Sequence, residues 1–244
     1  MIKSINSKDF YNKEALAAAR YSTKNFWEKR YHTKRMKILQ RILRNSFNNC
    51  KTFLDIGCGT GEYISFADQF VNSVYGLDIS KNYLNRCSSS KDNTLVIGDI
   101  ANLPFQNRAF DCVLCSEVIE HIKPNEIAVS EIFRVSHKRV IMSTPNHGLL
   151  RILMARIRKK DLVSIDASVG HVNIVSFLNL LSKFANQDWK VSFAFTKNVF
   201  PPFLDVLRFP KAAAPLIDLL EYVTDWCFPS LGSITFIGLE PNFM

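Results

Sequence analysis

T-F-L-D-I-G-C-G-T-G, residues Thr52 to Gly61, is the stretch whose reading decides the fold. Its apolar part, Phe53 to Ile56, has the length and composition of a buried strand. It runs into Gly57, Gly59 and Gly61 before a segment of helical pattern. Glycines in such a turn let the chain reverse sharply and let a ligand approach the backbone. The first N–H groups of the following helix then face that ligand. The spacing is G-x-G-x-G; the dinucleotide fingerprint would need its third glycine at position 62, which is Glu62. Asp55, inside the strand end, suits a cationic ligand better than a pyrophosphate. A tight strand-to-helix turn with no ligand would use the same glycines, so the neighbouring segments decide.

V-Y-G-L-D-I-S (Val74 to Ser80) reads as a second strand ending in Asp78, about 20 residues after the loop, where a carboxylate can hold ribose hydroxyls. L-V-I-G-D-I (Leu95 to Ile100) is a third, ending in Asp99. F-D-C-V-L-C-S-E-V-I-E-H-I (Phe110 to Ile122) is a fourth, running into Glu117, Glu120 and His121. With these motifs in order, the stretch from Lys51 to Thr144 resembles the class I S-adenosylmethionine (SAM)-dependent methyltransferases, in the broad group that includes the ubiquinone-biosynthesis O-methyltransferases. The resemblance implies that Asp55, Gly57, Gly59 and Gly61 receive the methionine part of SAM. It implies that Asp78 bridges the ribose hydroxyls and that Asp99 accepts from the adenine amino group, with Ile100 beside the ring. Ile79 and Ser116 complete the implied cofactor-binding set. The plainer reading of Asp78 and Asp99 is that each caps the helix that follows it.

The expected fold is α/β: a Rossmann-like, seven-stranded, mostly parallel sheet with helices on both faces, its last strand antiparallel, as in this family. Strands are expected at about 51–56, 73–78, 94–98, 110–115, 139–144, 190–196 and 233–240. Helices are expected at about 60–70, 80–88, 124–135 and 173–186. Parallel strands joined by helices require right-handed crossovers, and ligands bind at the carboxyl ends of such strands. Gly57, Asp78, Asp99 and Ser116 all fall at those ends. Residues 1–48 read as an N-terminal helical lid, with a basic helix from Thr23 to Phe47. Its Phe26, Trp27, Tyr31, Ile38, Leu39, Ile42 and Leu43 recur at roughly helical spacing. These aromatics suit the core, with Tyr21 and Tyr31 as lid candidates. Residues 49–244 are expected to form the methyltransferase domain, with cap insertions at about 145–171 and 197–230, the second holding an apolar segment from Leu216 to Phe228.

The composition bounds the partners. A hydrophobic content of 47% is ample for a core, and no uninterrupted apolar run reaches the length of a membrane span. The N-terminus lacks the apolar region of a secretory signal, and six scattered cysteines do not suggest a disulfide framework. A cytoplasmic, or peripherally membrane-bound, location follows as the expectation. Cys112 and Cys115 form a C-x-x-C, but within a strand they point to opposite faces. The net charge of +9 resides in residues 1–50, which hold 12 Lys and Arg against 3 Asp and Glu. A basic amphipathic segment, 149–160, suits an anionic membrane surface, nucleic acid or a solvated face.

Methyl transfer from a sulfonium asks mainly for alignment and the exclusion of water; a base matters where an acceptor hydroxyl must lose its proton. If helical, Glu117, Glu120 and His121 share one face at i, i+3 and i+4 and suit Mg²⁺ or another divalent ion. The E-x-x-E-H run resembles that of the ubiquinone O-methyltransferases and of the small-RNA 2′-O-methyltransferases, for which a distant histidine, here His171, would complete the site. Without a metal, His121 or His171 is the candidate base; His137 and His147 read as loop or surface residues. The leading expectation is O-methylation of a small lipophilic or aromatic hydroxyl compound. The rivals are a metal-dependent RNA methyltransferase and a non-catalytic SAM-binding subunit.

Overall fold

The apolar runs pair into one seven-stranded sheet. The computed structural model describes residues 26–87, 92–122, 125–146, 188–197, 199, 210–227 and 233–242. Its strands are β1 (Thr52–Ile56), β2 (Ser73–Asp78), β3 (Thr94–Ile97), β4 (Phe110–Ser116), β5 (Ser136–Pro145), β6 (Trp189–Lys197) and β7 (Ile234–Pro241). They lie in the order β3-β2-β1-β4-β5-β7-β6. The first five pair in parallel, and β7 inserts antiparallel between β5 and β6. The expected architecture is the observed one. The described helices are α1 (Phe26–Ser46), α2 (Glu62–Ala67), α3 (Lys81–Leu84), α4 (Asn125–Val135) and α5 (Ala214–Cys227), with a 3₁₀ turn at Ile119–His121. Among the described residues no helix is long and apolar enough to cross a membrane.

The central strands read as unbroken apolar runs because both of their faces are covered. In β4, Val113 and Cys115 belong to the core under α4, while Cys112 and Leu114 belong to the core under α1 and α2. The two cysteines therefore do lie on opposite faces, and burial pushes both thiols well up from their ordinary range. Crossovers from β1 lead outward to β2 and β3, and the chain then returns to β4 on the other side of β1. That reversal opens a crevice at the carboxyl ends of β1 and β4, the place where this topology binds ligands.

Helix α1 is amphipathic with an unusually basic outer face. Leu39 and Leu43 are fully buried against the sheet, each stabilising the docked helix by about 1.5–3 kcal/mol. Tyr31 packs beside that core, with the Arg35 guanidinium 5.9 Å from its ring centroid; Tyr21 lies outside the described residues. At the other end, Trp27 packs with Ile217 of α5. The Arg30 guanidinium donates twice to Glu221, at 2.9 and 2.8 Å, a fork geometry matched to a carboxylate.

Several boundaries differ from the sequence expectation. The helix expected at 80–88 is the single turn α3, started by Ser80, whose Oγ accepts from the Tyr83 N–H. The apolar segment expected within 197–230 is α5. The segment 149–160, the helix 173–186 and, of the two insertions, residues 147–171, 198, 200–209 and 228–230 lie outside the described residues.

Gly76, in the middle of β2, is a close-approach glycine. A Cβ there would fall 2.3 Å from Ile64 Cδ1 and 2.9 Å from both Cys58 Sγ and Leu95 Cδ2. Overpacking of a filled core costs about 1–3 kcal/mol. Gly76→Ala is therefore expected to lower the unfolding free energy by about that amount in urea denaturation, without changing the slope of the transition.

Candidate active site

The site is built from the loop between β1 and α2. Gly57, Gly59 and Gly61 all adopt left-handed backbone, with φ of 72°, 54° and 85°. Gly57 is also required by space, since a Cβ there would lie 2.3 Å from Val118 Cγ2. The loop is tied to the end of β2: the Gly57 and Cys58 N–H groups donate to the Leu77 carbonyl at 2.7 and 3.1 Å. The Gly59 N–H donates to Asp78 Oδ2 at 2.9 Å. Asp78 Oδ1 accepts from the Ser80 N–H at 2.8 Å. Burial pushes the Asp78 carboxyl up, against the pull of the Ser80, Gly59 and Ile79 N–H groups. The plainer reading of Asp78 as a helix cap does not hold, because Ser80 caps α3 and Asp78 clamps the glycine loop instead.

Asp55 ends β1 almost wholly buried, and its Oδ2 has no hydrogen-bond partner. Burial, then the nearby charge of Glu62, pushes its carboxyl well above the usual range. Asp99 is exposed and turns the chain after β3; its Oδ1 accepts from the Ala101 N–H at 2.9 Å. Ser116 Oγ pairs with Ser143 Oγ at 2.9 Å. These residues converge. Asp55, Gly57, Gly59, Asp78, Ile79, Asp99, Ile100, Ser116, Glu117 and His121 all line one cavity of about 170 Å³, with Tyr83, Val118 and Ile122 among its apolar walls. Gly61 stands just outside the lining, as the N-cap of α2.

The E-x-x-E-H run departs from the expected helical face. Glu117 holds φ of 56°, a strained conformation for a non-glycine residue, and its N–H extends the sheet by donating to the Ser143 carbonyl at 2.9 Å. Only Ile119 to His121 form a turn, of 3₁₀ type. Glu120 consequently points away from the cavity, fully buried, with Oε2 accepting from Thr144 Oγ1 at 3.4 Å. Burial, then the charge of Glu117, pushes its carboxyl well up. His121 lines the cavity, with Nε2 4.0 Å from Glu120 Oε1. His137 is partly exposed on β5, 3.5 Å from Asp111. His147 and His171 lie outside the described residues. Among the described residues no group of three or more His, Cys, Asp or Glu is arranged to hold a metal ion.

Arg35 is the charged partner of Glu117 that was not read from the sequence, as Tyr83, Val118 and Ile122 of the apolar walls were not. Arg35 reaches from α1 into the cavity lining, and its Nη1 donates to Glu117 Oε2 at 3.0 Å between side chains only 8% and 10% exposed. Its signal was present: Arg35 shares the stripe of Leu39 and Leu43, at i, i+4 and i+8, and a cation on a core stripe needs a buried partner.

Comparison with known proteins follows the same boundaries. Residues 54–143 match the family model described as a methyltransferase domain. A stretch of 96 residues is 38% identical to an uncharacterized protein of Methanocaldococcus jannaschii, covering 38% of this chain and 40% of that one. A malonyl-[acyl-carrier protein] O-methyltransferase of Hamiltonella defensa is 27% identical over 163 residues, covering 64% of this chain and 63% of its own. The chain thus spans less than two thirds of the length of these curated relatives. The magnesium protoporphyrin IX methyltransferase of Synechocystis PCC 6803, solved with bound SAH, superposes with a TM-score of 0.65 at 16% identity over 96% of this chain and 97% of its own. That likeness shows the shared fold.

Asp55 makes a pH prediction. Its folded carboxyl is raised above the unfolded value of about 3.9, so its contribution to stability is complete below that pH and is lost as pH rises through the folded value. Asp55→Asn is expected to leave the melting temperature nearly unchanged near pH 4 and to raise it increasingly toward pH 8, as thermal unfolding across that range would show.

Proposed function

With residues 54–143 matching the family model of a methyltransferase domain, we propose that the chain transfers a methyl group from SAM to a hydroxyl of a small lipophilic or aromatic compound. The observation that carries this reading is the meeting of Asp55, the glycine loop, Asp78 and Asp99 in one cavity at the reversal point of the sheet. The donor set fits the molecule. A buried carboxylate oxygen without a partner suits the methionine ammonium, Asp78 keeps acceptor capacity for ribose hydroxyls beyond its bonds to the Ser80, Gly59 and Ile79 N–H groups, and Ile79 and Ile100 offer apolar walls to a purine.

SAM supplies a methyl group already activated on a sulfonium. What remains for the chain is to hold both partners in line and to keep water out. Val118 and Ile122 line the cavity beside Glu117 and His121, so an acceptor lying there meets apolar surface on one side and polar groups on the other. His121 is the base assigned to the acceptor proton. The metal-free version of the site is favoured, because Glu117 is compensated by Arg35 and Glu120 faces the core. The relative that acts as an O-methyltransferase supports oxygen as the acceptor atom.

Titration calorimetry with SAM and its demethylated product tests the reading. Binding in roughly the micromolar range is expected, unchanged by EDTA, and Asp78→Ala should weaken it about 100-fold with the fold intact by circular dichroism. A wild-type chain that binds neither compound would refute the proposal; loss of binding in EDTA would restore the metal. Once an acceptor is found, His121→Ala should lower kcat by about 10²–10⁴-fold while SAM affinity stays within about twofold.

A further inference from the structure

Helix α5 pairs its acids with cations of α1 and β6 and turns most of its apolar side chains to the outside. Toward α1 and β6 it presents Ile217, Asp218, Glu221 and Asp225. Ile217 packs with Trp27, Asp218 and Glu221 pair with Arg30 and Lys34, and Asp225 Oδ2 lies 3.0 Å from Lys197 Nζ. The opposite side carries Leu216, Leu219, Leu220, Tyr222, Val223 and Trp226, with exposures from 43% to 81%. At about 100° per residue these six fall on one side of the helix, facing away from Ile217 and Glu221. Aromatic and leucine side chains of this size make a patch on the order of several hundred Å². All three acids of α5 are paired with cations of α1 or β6, Asp218 at the exposed margin of the helix, so no unpaired charge interrupts the stripe.

The neighbouring helix decides what covers that patch. The outer ridge of α1 runs through Arg30, Lys34, Lys37, Arg41 and Arg44, at i, i+4, i+7, i+11 and i+14. Helix α5 rests on the first two. The remaining three continue along the ridge and are exposed or nearly so, with no acidic helix above them. Arg44 packs over the Phe70 ring at 5.5 Å; because α5 sits on this ridge and turns its apolar stripe away from it, the stripe and the exposed Lys37 and Arg41 lie on the same outer side of α1. An apolar stripe bearing Trp and Tyr beside a row of cations matches the interface of an anionic bilayer: rings and leucines enter the headgroup boundary and the cations meet lipid phosphates. A second copy of the chain would bring like charges together, and nucleic acid would use the cations while leaving the stripe in water.

We infer that α5 and the uncovered ridge of α1 form a docking face for a membrane surface rich in anionic lipid. The inference stands apart from methyl transfer, since neither the stripe nor Lys37 and Arg41 line the cavity. Flotation of the full chain with vesicles of phosphatidylcholine, alone or mixed with phosphatidylglycerol, tests it. Binding is expected on the mixed vesicles and little on the neutral ones, with a blue shift of tryptophan emission that Trp226→Phe removes. Each cation near such a surface contributes about 1 kcal/mol, so Lys37→Gln with Arg41→Gln should weaken binding roughly thirtyfold. Leu219→Ser with Trp226→Ser should weaken it at least as much, and both pairs should keep the wild-type unfolding midpoint because they alter exposed positions.

The inference is overturned by a wild-type chain that stays with neutral and anionic vesicles alike at the bottom of the gradient, or by binding that both double variants retain. A dimer in light scattering that the stripe variant dissolves would also overturn it, because a second copy would then be the occupant. So would Trp226 emission already blue and shielded from iodide in the free protein, because the chain's own residues would then cover the stripe.

Discussion

Three left-handed residues within five positions, Gly57, Gly59 and Gly61, fix where the chain leaves β1, and the rest of the carboxyl edge takes its place from that turn. Side chains are not merely unfavourable there. The space that a Cβ at Gly57 would fill belongs to Val118, which anchors the segment after β4 against the loop after β1. Seated in that way, the segment carries Glu117 in its own left-handed conformation to a point where Arg35 can reach it. On the other side, Asp78 takes the Gly59 N–H and ties the loop to β2. One backbone turn thus positions residues from three strands and from α1.

The carboxylates around this turn are in three electrostatic conditions. Asp78 is held by backbone N–H groups, Glu117 by a guanidinium, and Asp55 by nothing that neutralises it. Desolvation therefore falls hardest on Asp55, a cost to the free protein that a bound cationic group would relieve. Such an uncompensated group lowers stability in return for affinity, the usual relation at binding sites. Glu120 is also buried and driven toward its neutral form, but Thr144 supplies one partner and it points into the core. The two acids share burial and differ in direction; of the pair, Asp55 lines the cavity and Glu120 does not.

That difference marks the limit of what the sequence could show. The central strands were legible because strands covered on both faces are written as unbroken apolar runs, and Asp55 and Asp78 could then be counted to their ends. Backbone direction after β4 was not legible. A helical reading puts Glu117, Glu120 and His121 on one face, yet the Glu117 N–H continues the sheet by bonding the Ser143 carbonyl, so the chain turns as a 3₁₀ segment and sends Glu120 inward. The Arg35–Glu117 pair spans 82 positions, beyond any local pattern, although the cation on a leucine stripe signalled a partner somewhere. Helix α5 was visible as an apolar segment, while its outward-facing stripe depends on acids that find their cations on α1.

Helix α1 joins these themes, since its faces look three ways: Leu39 and Leu43 into the core, Arg35 into the cavity, and Arg30 and Lys34 toward α5. Lifting the whole helix would expose two buried leucines, about 3–6 kcal/mol together, and would separate a buried ion pair at a further cost of several kcal/mol. An equilibrium that unfavourable leaves the open form at well under one molecule in a thousand. Arg35 is therefore a fixed part of the cavity wall. The turns before it are gripped by α5 through Trp27 and Arg30, so the helix that carries Arg35 to Glu117 is anchored on both sides of that contact.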